Sequence, residues 1–329
     1  MAKEALKERE GSLGSKVAGL VKNYCLVIFQ TMVNGARSTI IIGATVGVIG
    51  IIVGTISLTG IGLKFSQVII EISMGNLLVA ILLIGIASLI LGMGVPVTAA
   101  YLITIVLVIG VLPDMISRTL WSVDWNTLQA PLANLPVDDP QRALITAKVT
   151  WAVLASHMIV YWFSQDSNIT PPVCVAAYAG AAIAGSDPWK TGWTAFKFAK
   201  MLYVGPFLFA LNPAFLLGGP DHFVPWYDVV IDWITIILGT IAFGSLTMGY
   251  LVCATNIVEW CIFAVATLLL FFPQVLNYAT GLRVPSMAVD FLGIALWISV
   301  WLMQKVRVKK NPHLTMAIDQ RKKLEQKPA

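Results

Sequence analysis

Long uncharged, apolar runs separated by short polar stretches make up most of this chain. Crossing about 30 Å of hydrocarbon takes roughly 20 apolar residues in a helix. Six stretches reach or approach that length: residues 39–60, 143–164 (continuing through a break to 185), 194–217, 229–252, 257–276 and 286–303. Residues 16–37 mix charges with apolar side chains and predict an interfacial helix within a 1–38 N-terminal segment. Residues 281–305 hold the last crossing, and 306–329 form a polar tail. The pattern predicts an all-α integral membrane protein with about six crossings.

Between the first two crossings lies the uncharged tract 72–113, interrupted at its middle by "LILGMGVPVTAAYLI" (89–103). As helix the tract would reach about 63 Å, so length alone does not separate two full crossings from a hairpin that dips in and returns. A full pair would place its turn at the far interface, among charged or aromatic residues. Here the turn is Gly92-Met93-Gly94-Val95-Pro96, with Thr98 following and no charge nearby. Glycine and proline free backbone groups that lipid cannot satisfy. The tract is therefore expected to be a re-entrant hairpin entering from the outer side, its turn packed inside protein or lining a polar cavity, with a tight turn between two ordinary helices as the alternative.

A second break falls at "SQDSNITPPVCVAAYAGAAIAG" (164–185). The Pro171-Pro172 pair removes two donors and disfavours helix just before it. A run of small residues follows, suited to close helix packing. Two interrupted segments in one membrane chain point to a transport site, because half-helix ends and unwound carbonyls hold ions and solutes. The candidate residues are Gly92, Met93, Gly94, Pro96 and Thr98 on the hairpin, and Asp166, Asn168, Thr170, Pro171 and Pro172 at the break. Carbonyls of Gly92, Gly94 and Thr170 suit Na⁺. Asp166, a carboxylate at membrane depth, leaves H⁺ coupling open; a solvated rim position or a pairing with Lys148 is the alternative.

Composition agrees: 57% hydrophobic and 12% charged residues, with a mean hydropathy of +0.81, far from the quarter charged of soluble domains. With six crossings, 17 of the 22 Lys and Arg fall on one side, which predicts both termini cytoplasmic. The excess positive charge sits at the ends and in one loop, which argues against nucleic acid. Residues 114–142, with four aspartates and several prolines, read as an outer loop insertion. Trp151, Trp193, Trp226 and Trp301 read as interfacial anchors, the four cysteines as buried thiols, His157 as a packing residue, and Glu259, Asp232 and Asp290 as solvated span ends. No metal-ligand spacing or nucleophile–base arrangement suggests an enzyme, and no cofactor is expected beyond a coupling Na⁺ or H⁺.

The segments "LGMGVPVTAAYLI" and "ITPPVCVAAYAGAAIAGSDPWKTGWTAFKFAKMLYVGPFLFALNPAFLL", with "IIVGTISLTGIGLKF" upstream, resemble the large membrane subunit of tripartite ATP-independent periplasmic (TRAP) transporters, in its TAXI branch. The resemblance implies half of an inverted-repeat transporter fold, a repeat over 39–280 with only the C-terminal of two repeats visible. It implies an inner-membrane permease component that imports a small organic anion on an ion gradient. The implied partners are a second membrane chain carrying the other repeat, a small membrane subunit and an extracytoplasmic substrate-binding protein. A non-transporting membrane scaffold built on one repeat is the alternative.

Overall fold

The computed structural model describes residues 13–92, 95–171, 174–218, 224–273, 285–311 and 314. The chain divides into two units at Thr59 and Gly60. The first contains one helix, α1 (Leu13–Thr59), of 47 residues, about 70 Å long. It runs unbroken through Arg37 and Ser38, where the sequence predicted a boundary between an interfacial segment and a crossing. Its threonine hydroxyls return to carbonyls one turn back, as Thr31 does to Val27 and Thr55 to Ile51 (each 2.8 Å). That local bond lets a hydroxyl sit in an apolar helix without a tertiary partner.

The second unit is a bundle organised around one helix. Its first elements are α2 (Ile61–Ser73), α3 (Leu77–Gly92), α4 (Val97–Val108) and α5 (Leu112–Trp121). Then come α6 (Trp125–Gln129), α7 (Pro140–Ser164), α8 (Val175–Ala184), α9 (Pro188–Phe198) and α10 (Met201–Leu211). The last three are α11 (Trp226–Met248), α12 (Ile257–Phe271) and α13 (Ser286–Lys310). Apart from one isolated bridge between Tyr250 and Ala254, no β pairing occurs among the described residues. Among the described residues four helical stretches are long and apolar enough to cross a membrane, and up to six if two bent pairs each make one crossing. The protein is an all-α integral membrane protein.

Helix α7 carries the core. Trp151, Ala152, Ala155, Ile159 and Val160 are fully buried on it, and α3, α4, α5 and α10 all pack against it. Two glycines set the closest approaches. A Cβ on Gly85 of α3 would lie 2.8 Å from the Phe163 ring, and one on Gly205 of α10 would lie 2.5 Å from Trp162 Nε1. The last turn of α7 is thus gripped from both sides immediately before the helix breaks. Helix α3 is apolar all round: Ala80, Ile81 and Ile84 are buried while Leu78, Leu82 and Ile90 face outward, the arrangement of a helix whose outer solvent is lipid.

Residues 114–142 are folded, where the sequence predicted a loop. Asp124 and Asp139 cap α6 and α7 by accepting from Thr127 N and Gln141 N, and Arg142 donates to the carbonyls of Leu132 (2.8 Å) and Leu135 (2.6 Å). The prolines and aspartates that suggested a loop are helix-start signals. Trp151 is also no interfacial anchor: it is fully buried and meets Trp121 edge-on, with Lys148 5.4 Å above the Trp121 ring. Cys174 and Cys253 are buried as expected, whereas Cys25 and Cys261 are exposed.

Helices α11, α12 and α13 pack on one another and are tied to the rest by Asn212, whose side-chain nitrogen donates to the Phe271 carbonyl (3.1 Å). Helix α12 has 15 residues and ends at Phe271, shorter than the crossing expected over 257–276. Glu259 is 1% exposed, not solvated. Its Oε2 accepts from Gln304 Nε2 (2.9 Å), Arg307 Nη2 (3.1 Å) and Asn256 N (3.2 Å). Gln304 in turn accepts from Val252 N and Cys253 N, holding the α11–α12 turn against α13. The sequence could not anticipate this burial, because Gln304 and Arg307 lie 45 and 48 residues away.

Two outcomes follow. Gly85→Val is expected to destabilise the detergent-solubilised protein by about 1–3 kcal/mol through overpacking, read as a lowered thermal midpoint. Glu259→Ala removes the acceptor of Gln304 Nε2 and one of those of Arg307 and is expected to cost about 1–3 kcal/mol; a wild-type midpoint in either variant would show that the contact is dispensable.

Candidate functional site

The break in α7 begins at Ser164, where the helix tightens into a 3₁₀ turn, Gln165–Asn168. Residues 169–171 then leave the helix. Ile169 N and Thr170 N both donate to the Asp166 carbonyl (3.1 and 2.8 Å), and Cys174 N donates to the Thr170 carbonyl (3.2 Å). The 3₁₀ turn packs against α3, α4 and α8. Both arms of the hairpin and both halves of the broken helix therefore meet here. The arms have 16 and 12 residues, about 24 and 18 Å, each short of the roughly 30 Å hydrocarbon thickness.

Asp166 is completely buried, and neither carboxylate oxygen has a hydrogen-bond partner that satisfies distance and angle. The Tyr203 hydroxyl of α10 approaches the carboxylate, but its close bond is with Thr170 Oγ1 at 2.9 Å. Lys148 lies over Trp121, about 27 Å away along the helix, so it does not pair with Asp166. A buried, unpaired carboxylate is costly unless something neutralises it.

The other expected residues are placed as follows. Gly92 ends α3 and is buried, and its carbonyl accepts from Val95 N at 3.4 Å. The Pro96 carbonyl accepts from Ala99 N and Ala100 N (2.9 and 3.0 Å), opening α4. Pro96 and Thr98 are exposed, while Asn168, Thr170 and Pro171 are half-buried. Met93, Gly94 and Pro172 lie outside the described residues. The Thr170 carbonyl already holds Cys174 N.

Several polar groups here were missed by sequence reasoning. Ser88 on α3 and Thr104 on α4 are buried, and their hydroxyl oxygens are unpartnered. Each is a lone hydroxyl in an apolar run, which is the signal that could have drawn attention to it. Tyr203 lay inside the quoted "KMLYVGP" stretch but carried no expectation. His157 has a partner, as a packing histidine should: its Nδ1 lies 2.7 Å from the Tyr101 hydroxyl, and Tyr101 stacks edge-on with Tyr161. These contacts fasten α4 to α7 one turn and a half before the break.

The hairpin and the break together contribute four helix ends. The N-cap residues of α4 and α8, Pro96 and Cys174, make no side-chain cap, and helix starts carry positive backbone ends. Helix α3 and the 3₁₀ turn end in backbone carbonyls. Tyr203→Phe is expected to leave Thr170 Oγ1 without its partner, at a cost of about 1 kcal/mol, and to speed amide hydrogen exchange over 165–171. Exchange unchanged there would show that Tyr203 does not brace the break.

No match was found among curated proteins or among solved structures. Residues 22–219, well over half of the chain, match the family model described as "Tripartite ATP-independent periplasmic transporter, DctM component". The match runs from within α1 past the hairpin, the break and α10, and it stops short of α11. This chain therefore belongs to the DctM family of large membrane components of tripartite ATP-independent periplasmic transporters.

Proposed function

We propose that this permease component supplies one half of a transport site for a small organic anion, and that an ion gradient drives import. The observation that carries the proposal is the Asp166 carboxylate, sealed without a hydrogen bond where both hairpin arms meet the break. A carboxylate in that position repels an anion and attracts a cation. Its role is therefore to take the coupling ion, Na⁺ or H⁺, with carbonyls at Gly92, Gly94 and Thr170 as further oxygen ligands for Na⁺. The anion is held by the uncapped starts of α4 and α8. One hairpin and one break make half a clamp, and the proposed source of the complementary hairpin is a second membrane chain of the inner membrane. A small membrane subunit and an extracytoplasmic binding protein complete the assembly, with both termini of this chain cytoplasmic and the binding protein docking on residues 114–142 and 218–228. The block around Thr170 favours the TAXI branch.

Uptake of labelled dicarboxylates or amino acids into proteoliposomes containing the assembled complex, with and without Na⁺ and binding protein, tests this reading. Asp166→Asn is expected to cut gradient-driven uptake at least about tenfold while the complex still assembles, a loss of about 1.4 kcal/mol in driving interaction. Gly94→Leu is expected to do the same. Uptake that survives collapse of both gradients would reject ion coupling, and full activity in both variants would leave only the scaffold reading.

A further inference from the structure

A cavity of about 150 Å³ lies between the turn after α10, inside the segment that matches the family, and the starts of α11 and α13, beyond it. Three carboxylates line it, Asp228 and Asp232 one helical turn apart on α11 and Asp290 on α13, together with Asn212 and the apolar Ile231 and Met287. Asp290 is 3% exposed, one of its carboxylate oxygens has no hydrogen-bond partner, and Asp228 and Asp232 lie within its electrostatic reach. Among the described residues that line the cavity there is no Lys or Arg. Asn212 has one amide hydrogen on the Phe271 carbonyl and its side-chain oxygen remains an acceptor, while the Ser286 hydroxyl can donate or accept. Carboxylates are the only charged groups among these lining residues.

Two magnitudes narrow the occupant. Among the described residues no three acidic, His or Cys side chains converge closely enough to hold a metal ion, so a bare ion would leave carboxylates unmatched. The volume equals about five waters, room for a compound of four or five heavy atoms. We propose that this cavity binds a small organic cation with N–H donors, an ammonium or guanidinium group whose separate hydrogens reach separate carboxylates. The apolar wall against Ile231 and Met287 suits a short carbon stem. Charge-assisted hydrogen bonds to such a group are the strong kind, and they relieve the repulsion among the three acids. The same group could come from a soluble amine or from the headgroup of phosphatidylethanolamine. The site stands apart from Asp166, and its failure would leave the transport reading untouched.

The test is thermal unfolding of the full chain in lipid-free detergent, followed by tryptophan fluorescence. Guanidinium chloride and ethylenediammonium chloride at low concentration are compared with sodium chloride at equal ionic strength. The proposal expects a saturable rise in unfolding temperature from an organic cation that sodium does not match. It expects half-saturation at least about tenfold higher in Asp290→Asn, and a weaker response in the half-exposed Asp228→Asn, which serves if the first variant does not fold. Stabilisation by phosphatidylethanolamine but not phosphatidylcholine, lost in the same variants, supports the site with lipid as its source. No saturable effect, an equal effect of sodium, or a response unchanged by both substitutions would overturn it.

Discussion

A backbone that leaves the helix inside a membrane protein has to find its hydrogen bonds within the protein. At the end of α7 that requirement is met by a few local bonds: two donors converge on the Asp166 carbonyl, and the Thr170 carbonyl takes Cys174 N. The surroundings are shaped to make this possible. Gly85 and Gly205 bring α3 and α10 against the rings of Phe163 and Trp162, which holds the last helical turn rigid. Tyr203 reaches across from α10 to occupy the Thr170 hydroxyl. What these arrangements leave unsatisfied is the Asp166 side chain, and the functional reading grows from that remainder.

The second half of the bundle meets the same requirement differently. Around Glu259 nearly every polar group has a partner: the carboxylate takes three donors, Gln304 both donates and accepts, and Arg307 also reaches the Ala254 carbonyl (2.6 Å). A saturated network of this kind fixes one packing of α11, α12 and α13. Asp290, on the same helix as Gln304, has an unfilled acceptor. Closed and open polar clusters thus sit on one helix, the first suited to holding structure and the second to receiving something.

Much of the frame could be read from residue order. Gly92 and Pro96 marked the hairpin turn, and Pro171-Pro172 marked the break, because those residue types constrain the backbone wherever they occur. The family resemblance rested on the same stretches, and the family match covers them. Burial was less legible. Trp151 and Glu259 looked like span-end residues because sequence shows a side chain's chemistry but not its neighbours. Residues 114–142 looked like a loop because proline and aspartate serve loops and helix starts equally. At the site, Asp166 stood out as a charge in an apolar tract, whereas Ser88, Thr104 and Tyr203 did not, since a single hydroxyl among aliphatic residues is common in membrane helices.

The unequal arms of the hairpin, about 24 and 18 Å, have an electrical consequence. A full membrane crossing is worth about 2.3 kcal/mol per elementary charge per 100 mV, and the whole drop falls across the low-dielectric layer that separates the two aqueous phases. On the proposed transport reading, arms too short to cross would thin the insulating layer around the break. A charge taken up at Asp166 would then feel only a fraction of the voltage, and the position of the hairpin tip would set how strongly membrane potential, as distinct from concentration, pulls on the ion.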